Sequence, residues 1–298
     1  MNVWTSAALA AAMGCACAPA MAQTTEPSAT APSATGPGVS DRLLLTGGVS
    51  QIEGAAGGGL TPWAIIGGYG TRNQYGASGY VTHVDTQDFG LDSFGVLFAI
   101  KNRVELSVSQ QQFNLQDLGV ALGLGDNYKI NVTTYGAKVR VLGDAILEQD
   151  SWIPQVAVGV QYKDNNRDAI VKSLGAKNGD GTDVYVSATK LLLAQSLLLN
   201  ATVRLTKANQ FGILGQSDNY KPEFEGSAAY LLNRRLAIGA EIRTKPDNLA
   251  GLKEDDAYDV FVAFAPIKNA SVTLAYADLG NIVVGKQRGL YASLQVGF

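Results

Sequence analysis

The sequence predicts an all-β fold, a transmembrane antiparallel up-and-down β-barrel of about 14 strands, with 12 as the alternative. Composition is the first reason. Apolar residues make up 46% of the 298 and charged residues only 16%, against about 25% charged in an ordinary soluble protein. Beyond the N-terminus no run reaches the roughly 18 consecutive apolar residues that a spanning helix needs, so the apolar surface has to be distributed by alternation. Periodicity is the second reason: segments of about ten residues with period two recur, bounded by Gly, Asn, Asp or Pro, as membrane strands require. The third is that long and short connections take turns along the chain, as in barrels with short periplasmic turns and longer outer loops.

Taken in order, residues 1–22 read as a signal peptide. Ala7 to Met13 is a short apolar core, and Ala20-Met21-Ala22 before Gln23 is a small-residue cleavage site, although no Lys or Arg precedes the core. Cys15 and Cys17 both fall inside this segment, where Ala12-Met13 ahead of Gly14-Cys15 matches a lipoprotein signal poorly. The mature chain then carries no thiol and no disulfide. Residues 23–40, rich in Pro, Ala, Ser and Thr, are expected to be a disordered periplasmic leader, because they bury too little to offset the cost of ordering. The outer-membrane barrel is expected over 41–298, with Leu43 to Ile52 as its first strand and both termini in the periplasm. Gly47 to Leu60, GGVSQIEGAAGGGL, is glycine-rich for a wall strand; folded inward as a plug, it would lower the strand count.

The following segments carry clear faces. Val104, Leu106 and Val108 alternate with Arg103, Glu105 and Ser107; Ala137, Val139 and Val141 oppose Lys138 and Arg140. Val156, Val158, Val160 and Tyr162 are set against Gln155, Gln161 and Lys163, and Leu197 to Leu205 against Asn200, Thr202 and Arg204. Leu236, Ile238, Ala240 and Ile242 alternate with Glu241, Arg243 and Lys245. The last strand places Leu290, Ala292, Leu294, Val296 and Phe298 on one face. Short connections fall at Lys101 to Asn102, Leu192 to Gln195, Asn233 to Arg234 and Ile267 to Asn269. Long ones fall at Asn114 to Asn127, Asp164 to Gly181, Ala208 to Tyr220, Lys245 to Asp256 and residues 280–288. Leu115 to Leu124 and Asp168 to Gly175 are apolar enough for a turn or two of helix that narrows the pore.

With lipid outside, the polar faces point into the lumen. Glu105, Lys138, Arg140, Lys163, Arg204, Glu241, Arg243 and Lys245 are the pore-lining candidates. Ionised groups persist inside only when hydrated or paired. If paired they brace a closed barrel, and if hydrated they line a channel of mild anion preference.

Other chemistries find little support. Net charge is -3 with no basic run, so no nucleic acid is implied as partner. GAAGGGL lacks the Lys and Ser or Thr of a nucleotide loop. One histidine and no mature cysteine cannot build a zinc or copper shell, so no metal or cofactor is expected. The acidic groups Asp85, Asp88 and Asp92, or Glu254, Asp255, Asp256 and Asp259, match no calcium loop. The protein is not read as an enzyme; the third reading, a lipid-modifying barrel, would need His83 to activate Ser78 or Ser93.

The terminal strand GLYASLQVGF resembles the closing strand of bacterial outer-membrane barrels, which implies that Phe298 is part of the signal read by the barrel assembly machinery. The segments LLLTGGVSQIEGAAGGGLTPWAIIGGYGTR, VDTQDFGLDSFGV, QDSWIPQVAVGVQYK, SATKLLLAQSLLLNATVR, KPDNL and LAYADLG resemble a proteobacterial family catalogued as a domain of unknown function, number 3034. The resemblance runs from about Leu43 to Phe298 and implies location and architecture, with no activity or ligand attached. The expected function is a passive channel or transporter for small solutes or lipophilic molecules, in contact with outer-membrane lipid. The alternative is a non-conducting structural or surface-interaction barrel.

Overall fold

The computed structural model describes residues 44–45, 47–146 and 151–298; the expected signal peptide and leader lie outside the described residues. Two two-residue strands, β1 (Val49–Ser50) and β2 (Ala56–Gly57), pair with each other and stand apart from the wall. The wall begins with β3 (Tyr75–Thr86), β4 (Gly90–Ile100), β5 (Val104–Asn114), β6 (Lys129–Leu142), β7 (Gln155–Asn165) and β8 (Gly181–Leu192). It continues with β9 (Leu197–Ala208), β10 (Gln216–Asn233), β11 (Leu236–Arg243), β12 (Ala257–Ile267), β13 (Ala270–Ile282) and β14 (Gly285–Gly297). Every neighbour in sequence is a neighbour in the sheet, all pairs are antiparallel, and β14 closes on β3 through Gly289↔Thr86 to Gly297↔Ser78. Closure leaves no open sheet edge, which is what lets strands cross a bilayer.

The wall therefore has twelve strands, the smaller of the two counts the sequence allows. Leu43 to Ile52 is not a wall strand. The described part of that stretch turns inward with residues 53–70, and residues 47–69 are buried throughout. Its glycines explain why. At Gly57 a Cβ would lie 2.1 Å from the Thr61 carbonyl oxygen, and at Gly58 1.8 Å from Glu241 Oε1, so only a bare backbone coils this tightly against the wall.

Strand parity sets the two surfaces. On β12, Tyr258, Val260, Val262 and Phe264 are exposed while Ala257, Asp259, Phe261 and Ala263 between them are buried. On β14, Leu290, Leu294 and Val296 face out and Tyr291, Ser293 and Gln295 face in. From Leu290 to Phe298 this exterior stripe is about 20 Å tall once the usual tilt is applied, close to the apolar band of outer-membrane barrels. A surface of this kind is unstable in water and suited to hydrocarbon, so the fold is a transmembrane barrel.

The two rims differ. One carries short turns, among them Lys101-Asn102, both at positive φ (52° and 48°), which is the tight hairpin geometry favoured by strand twist. The other carries α1 (Gln116–Ala121), α2 (Asp168–Ser173) and the loop of residues 209–215, within the two segments expected to be helical and one of the expected long connections. The connection expected to be long at residues 280–288 is instead a two-residue turn, because β13 and β14 run on to Ile282 and Gly285.

Candidate functional site

The lumen is filled, and the inward segment is held both by polar side chains that the strands present and by its own Ile52, Leu60, Trp63 and Ile65, which are buried in the apolar core. Glu105 on β5 and Lys138 on β6 are register partners 3.0 Å apart. Glu105 accepts from the backbone N–H of Ala56 (3.0 Å) and Gly67 (2.8 Å), while Lys138 donates to the carbonyls of Ala56 (3.0 Å) and Trp63 (3.1 Å). Across the barrel Glu241 on β11 accepts from Leu60 N–H (2.8 Å), the Thr61 hydroxyl (2.6 Å) and the Ser227 hydroxyl (2.7 Å). Thr202 donates to Pro62 O (2.9 Å), Thr189 accepts from Ala64 N–H (2.8 Å), and Ser50 donates to Gln295 (2.9 Å). Buried backbone polar groups need partners; these side chains supply them to a segment with little secondary structure of its own.

At the centre lies an ion cluster. Glu53 of the inward segment pairs with Lys163 on β7, with Arg243 on β11 (2.6 Å) and with Arg204 on β9 (3.8 Å). Two wall acids complete it. Asp183 on β8 is 2.7 Å from Lys163 and 3.2 Å from Arg204, and Glu225 on β10 pairs with Arg204 and with Arg243 (3.5 Å). Arg204 also donates to Gln161 (2.6 Å) and sits 5.1 Å above the Tyr185 ring. No member is more than 4% exposed. With water excluded, each charge depends on the others.

Both mouths are covered. At the long-loop end Phe211 stacks on Arg243 (4.4 Å) and over Lys245 (5.5 Å), in an apolar layer that includes Phe89, Phe113, Ile213, Leu249 and Leu279. Lys245, just past β11, donates to Gln210 (2.8 Å) and to Leu279 O (2.6 Å). Burial lowers the Lys245 ammonium to about 8 despite the opposing charge of Glu254, and raises Glu254, in the same loop, to about 7. At the short-turn end an apolar void of about 30 Å³ remains among Val49, Trp63, Leu198, Ala229 and Phe261, room for about one water molecule.

Of the eight inward candidates, Glu105, Lys138, Lys163, Arg204, Glu241, Arg243 and Lys245 are buried against the inward segment or the loop cap. Arg140 lies at the short-turn rim, bonded to Asp144 (2.7 Å). Glu53, Asp183 and Glu225 were not singled out from sequence, and Asp259, the register partner of Glu241, was weighed there only as part of an acidic loop. The signal available for them was charge balance: the eight candidates hold six bases and two acids, an excess that a dry interior cannot tolerate.

His83 faces outward, 2.6 Å from Asp92, whereas Ser78 and Ser93 are buried inside. The fold thus separates the base from both serines by the thickness of the wall. The acidic groups weighed for calcium are also scattered: Asp88 accepts from Gln287 (2.7 Å), Asp92 pairs with His83, and Asp259 lies inside. Among the described residues no three acidic or histidine side chains gather as a metal site.

No curated protein matches the sequence. Among solved structures, the KdgM porin is similar over 74% of this chain and 99% of its own, at 12% identity and a TM-score of 0.48. The COG4313 outer membrane channel from Pseudomonas putida F1 is similar over 75% and 94%, at 12% identity and 0.46. Outer membrane phospholipase A from Escherichia coli is similar over 76% and 97%, at 8% identity and 0.42. Likenesses this distant bear on neither ligand nor activity. The sequence itself is more specific, since a family model spans residues 46–295: this outer-membrane-type barrel belongs to the family described as "Protein of unknown function (DUF3034)".

Proposed function

We propose that the protein is an outer-membrane conduit for small solutes, closed at rest by residues 47–70 and opened when that segment shifts. In this reading the short turns lie in the periplasm, the long loops outside, and Phe298 serves as the assembly signal. The supporting observation is how the lumen is filled. Eight-stranded barrels are packed by their own side chains or hold one small ligand, and porins of sixteen to eighteen strands stay open. Here a wall of intermediate size is stoppered by a separate segment, held by hydrogen bonds and ion pairs. Water or a polar solute can take over such contacts when the segment shifts, while Ile52, Leu60, Trp63 and Ile65 add apolar packing that holds it closed at rest.

The close approach of Thr61 and Ser227, hydroxyls 2.5 Å apart, provides a lock. Thr61→Cys with Ser227→Cys should give current steps in planar bilayers when reduced and none when oxidised. Equal conductance in both states would place the path elsewhere. Silence in both, and in a variant with a weakened stopper, would leave the non-conducting structural barrel, a reading favoured by the density of anchors.

A further inference from the structure

The central ion cluster is neutral only because the stopper takes part in it. The wall supplies three cations, Lys163, Arg204 and Arg243, and two carboxylates, Asp183 and Glu225. Glu53 is the third carboxylate, and it arrives on the inward segment. Its removal leaves the wall with one positive charge in excess and with donors from β7, β9 and β11 aimed at a place that holds no acceptor. Three wall cations then face two wall carboxylates, so the opened wall attracts an anion there. Two guanidinium groups and an ammonium converging on a single carboxylate also have the donor geometry that recognises carboxylates.

We propose that Lys163, Arg204 and Arg243 form a binding subsite for the carboxylate of a small organic anion, and that Glu53 occupies it in the closed state as a built-in surrogate of that ligand. The inference rests on the reading that residues 47–70 can leave the lumen, and it names the class of solute. The remaining charges fit the same direction of travel. Lys245, beneath the same Phe211 ring as Arg243, extends the cationic track toward the long-loop mouth. When the segment leaves, the other luminal acids keep partners on the wall: Glu105 pairs with Lys138, Glu241 accepts from Ser227, and Asp259 is the register partner of Glu241. A carboxylate is favoured over phosphate because the resident group is a carboxylate with single charge, equal to the excess on the wall.

The test is chemical rescue in the full chain. Glu53→Ala removes the terminal methylene and carboxylate of the side chain, which propionate supplies with one carbon more. The temperature at which the folded barrel loses its heat-modifiable gel mobility should fall by several degrees, and propionate at tens of millimolar should restore most of the loss. Propionamide, neutral and of the same size, should restore none at equal ionic strength, and inorganic phosphate less than propionate. Equal rescue by propionamide, no rescue by either, or better rescue by phosphate would overturn the proposal. If Glu53→Ala does not refold, the double variant Glu53→Ala with Lys163→Met decides, because two cations then face two carboxylates. It should refold and ignore propionate, and a propionate response or failure to refold would overturn the charge-balance argument. Propionate rescue in a protein that never conducts keeps the anion subsite and removes the conduit. Conductance without rescue does the reverse.

Discussion

Replacing Glu105 by Gln tests what holds the stopper in place. The side chain is 1% exposed and is the counter-ion of Lys138, which is equally buried, while its two oxygens accept from Ala56 and Gly67 N–H. Glutamine keeps the shape and one acceptor but leaves the Lys138 ammonium without its opposing charge. Breaking a buried pair in this way costs about 3–5 kcal/mol. Because every 1.4 kcal/mol is a factor of ten, segment opening should become roughly a hundred to a few thousand times more frequent. Hydrogen exchange read by mass spectrometry on peptides covering residues 47–70 reports that opening, with wall peptides as the internal reference. Adding Lys138→Met removes the orphaned charge and should recover a large part of the protection, a coupling of more than 1 kcal/mol in a double-mutant cycle. Unchanged protection in Glu105→Gln, or strictly additive losses in the double variant, would refute the account of how the segment is seated.

Three further outcomes follow from the same structure. Val262 is 44% exposed at mid-strand between Ile238 and Leu274, so Val262→Arg should lower the stability of the barrel in liposomes by about 2–4 kcal/mol, measured by urea unfolding. His83→Ala removes only an exposed pair with Asp92 and should change stability by no more than about 1 kcal/mol and leave lipid acylation unaltered; an altered lipid profile would restore the enzyme reading. The loop of residues 245–256 should be least protected between pH 7 and 8. Burial holds Glu254 at about 7, above its ordinary 4.5, so the closed loop keeps a proton that the open loop releases, and closure weakens as pH rises through that interval. Burial holds Lys245 at about 8, below 10.5, so closure also weakens as pH falls toward 8. Exchange of the loop amides at pH 5.5, 7.5 and 9.5, corrected for intrinsic rates, should show the minimum in the middle, and a flat profile would contradict it.

The wall was legible because lipid enforces a strict period of two. Leu290 to Phe298 and Leu197 to Leu205 could face only one way, and the same parity carried Glu105, Arg204 and Arg243 inward. The stopper was not legible to the same degree. GGVSQIEGAAGGGL has no period, because its conformation is set by the groups that receive it, such as Glu105, Glu241 and Thr202, which lie far away in sequence. Glu53 was hidden for the same reason: in a stretch of glycines a lone acid looks solvated. Asp183 sits on a strand with clean alternation and was readable in principle by parity, whereas Glu225 follows a largely exposed half of β10 that breaks the alternation. The turn at Val283 escaped because its polar flanks, Asn281 and Lys286, pair across an extended hairpin rather than forming a loop.

One guanidinium, that of Arg243, touches three independent parts of the molecule: the Phe211 ring of the long-loop cap, Glu225 of the wall, and Glu53 with the Leu60 carbonyl of the stopper. The two closures of the lumen therefore share a component. Any ligand that binds more tightly when the cap is lifted and Arg243 is turned also biases the stopper, and thermodynamic linkage requires the converse to the same extent. A molecule docking on the long-loop cap and one arriving from the short-turn end would thus sense each other through a single side chain, without meeting.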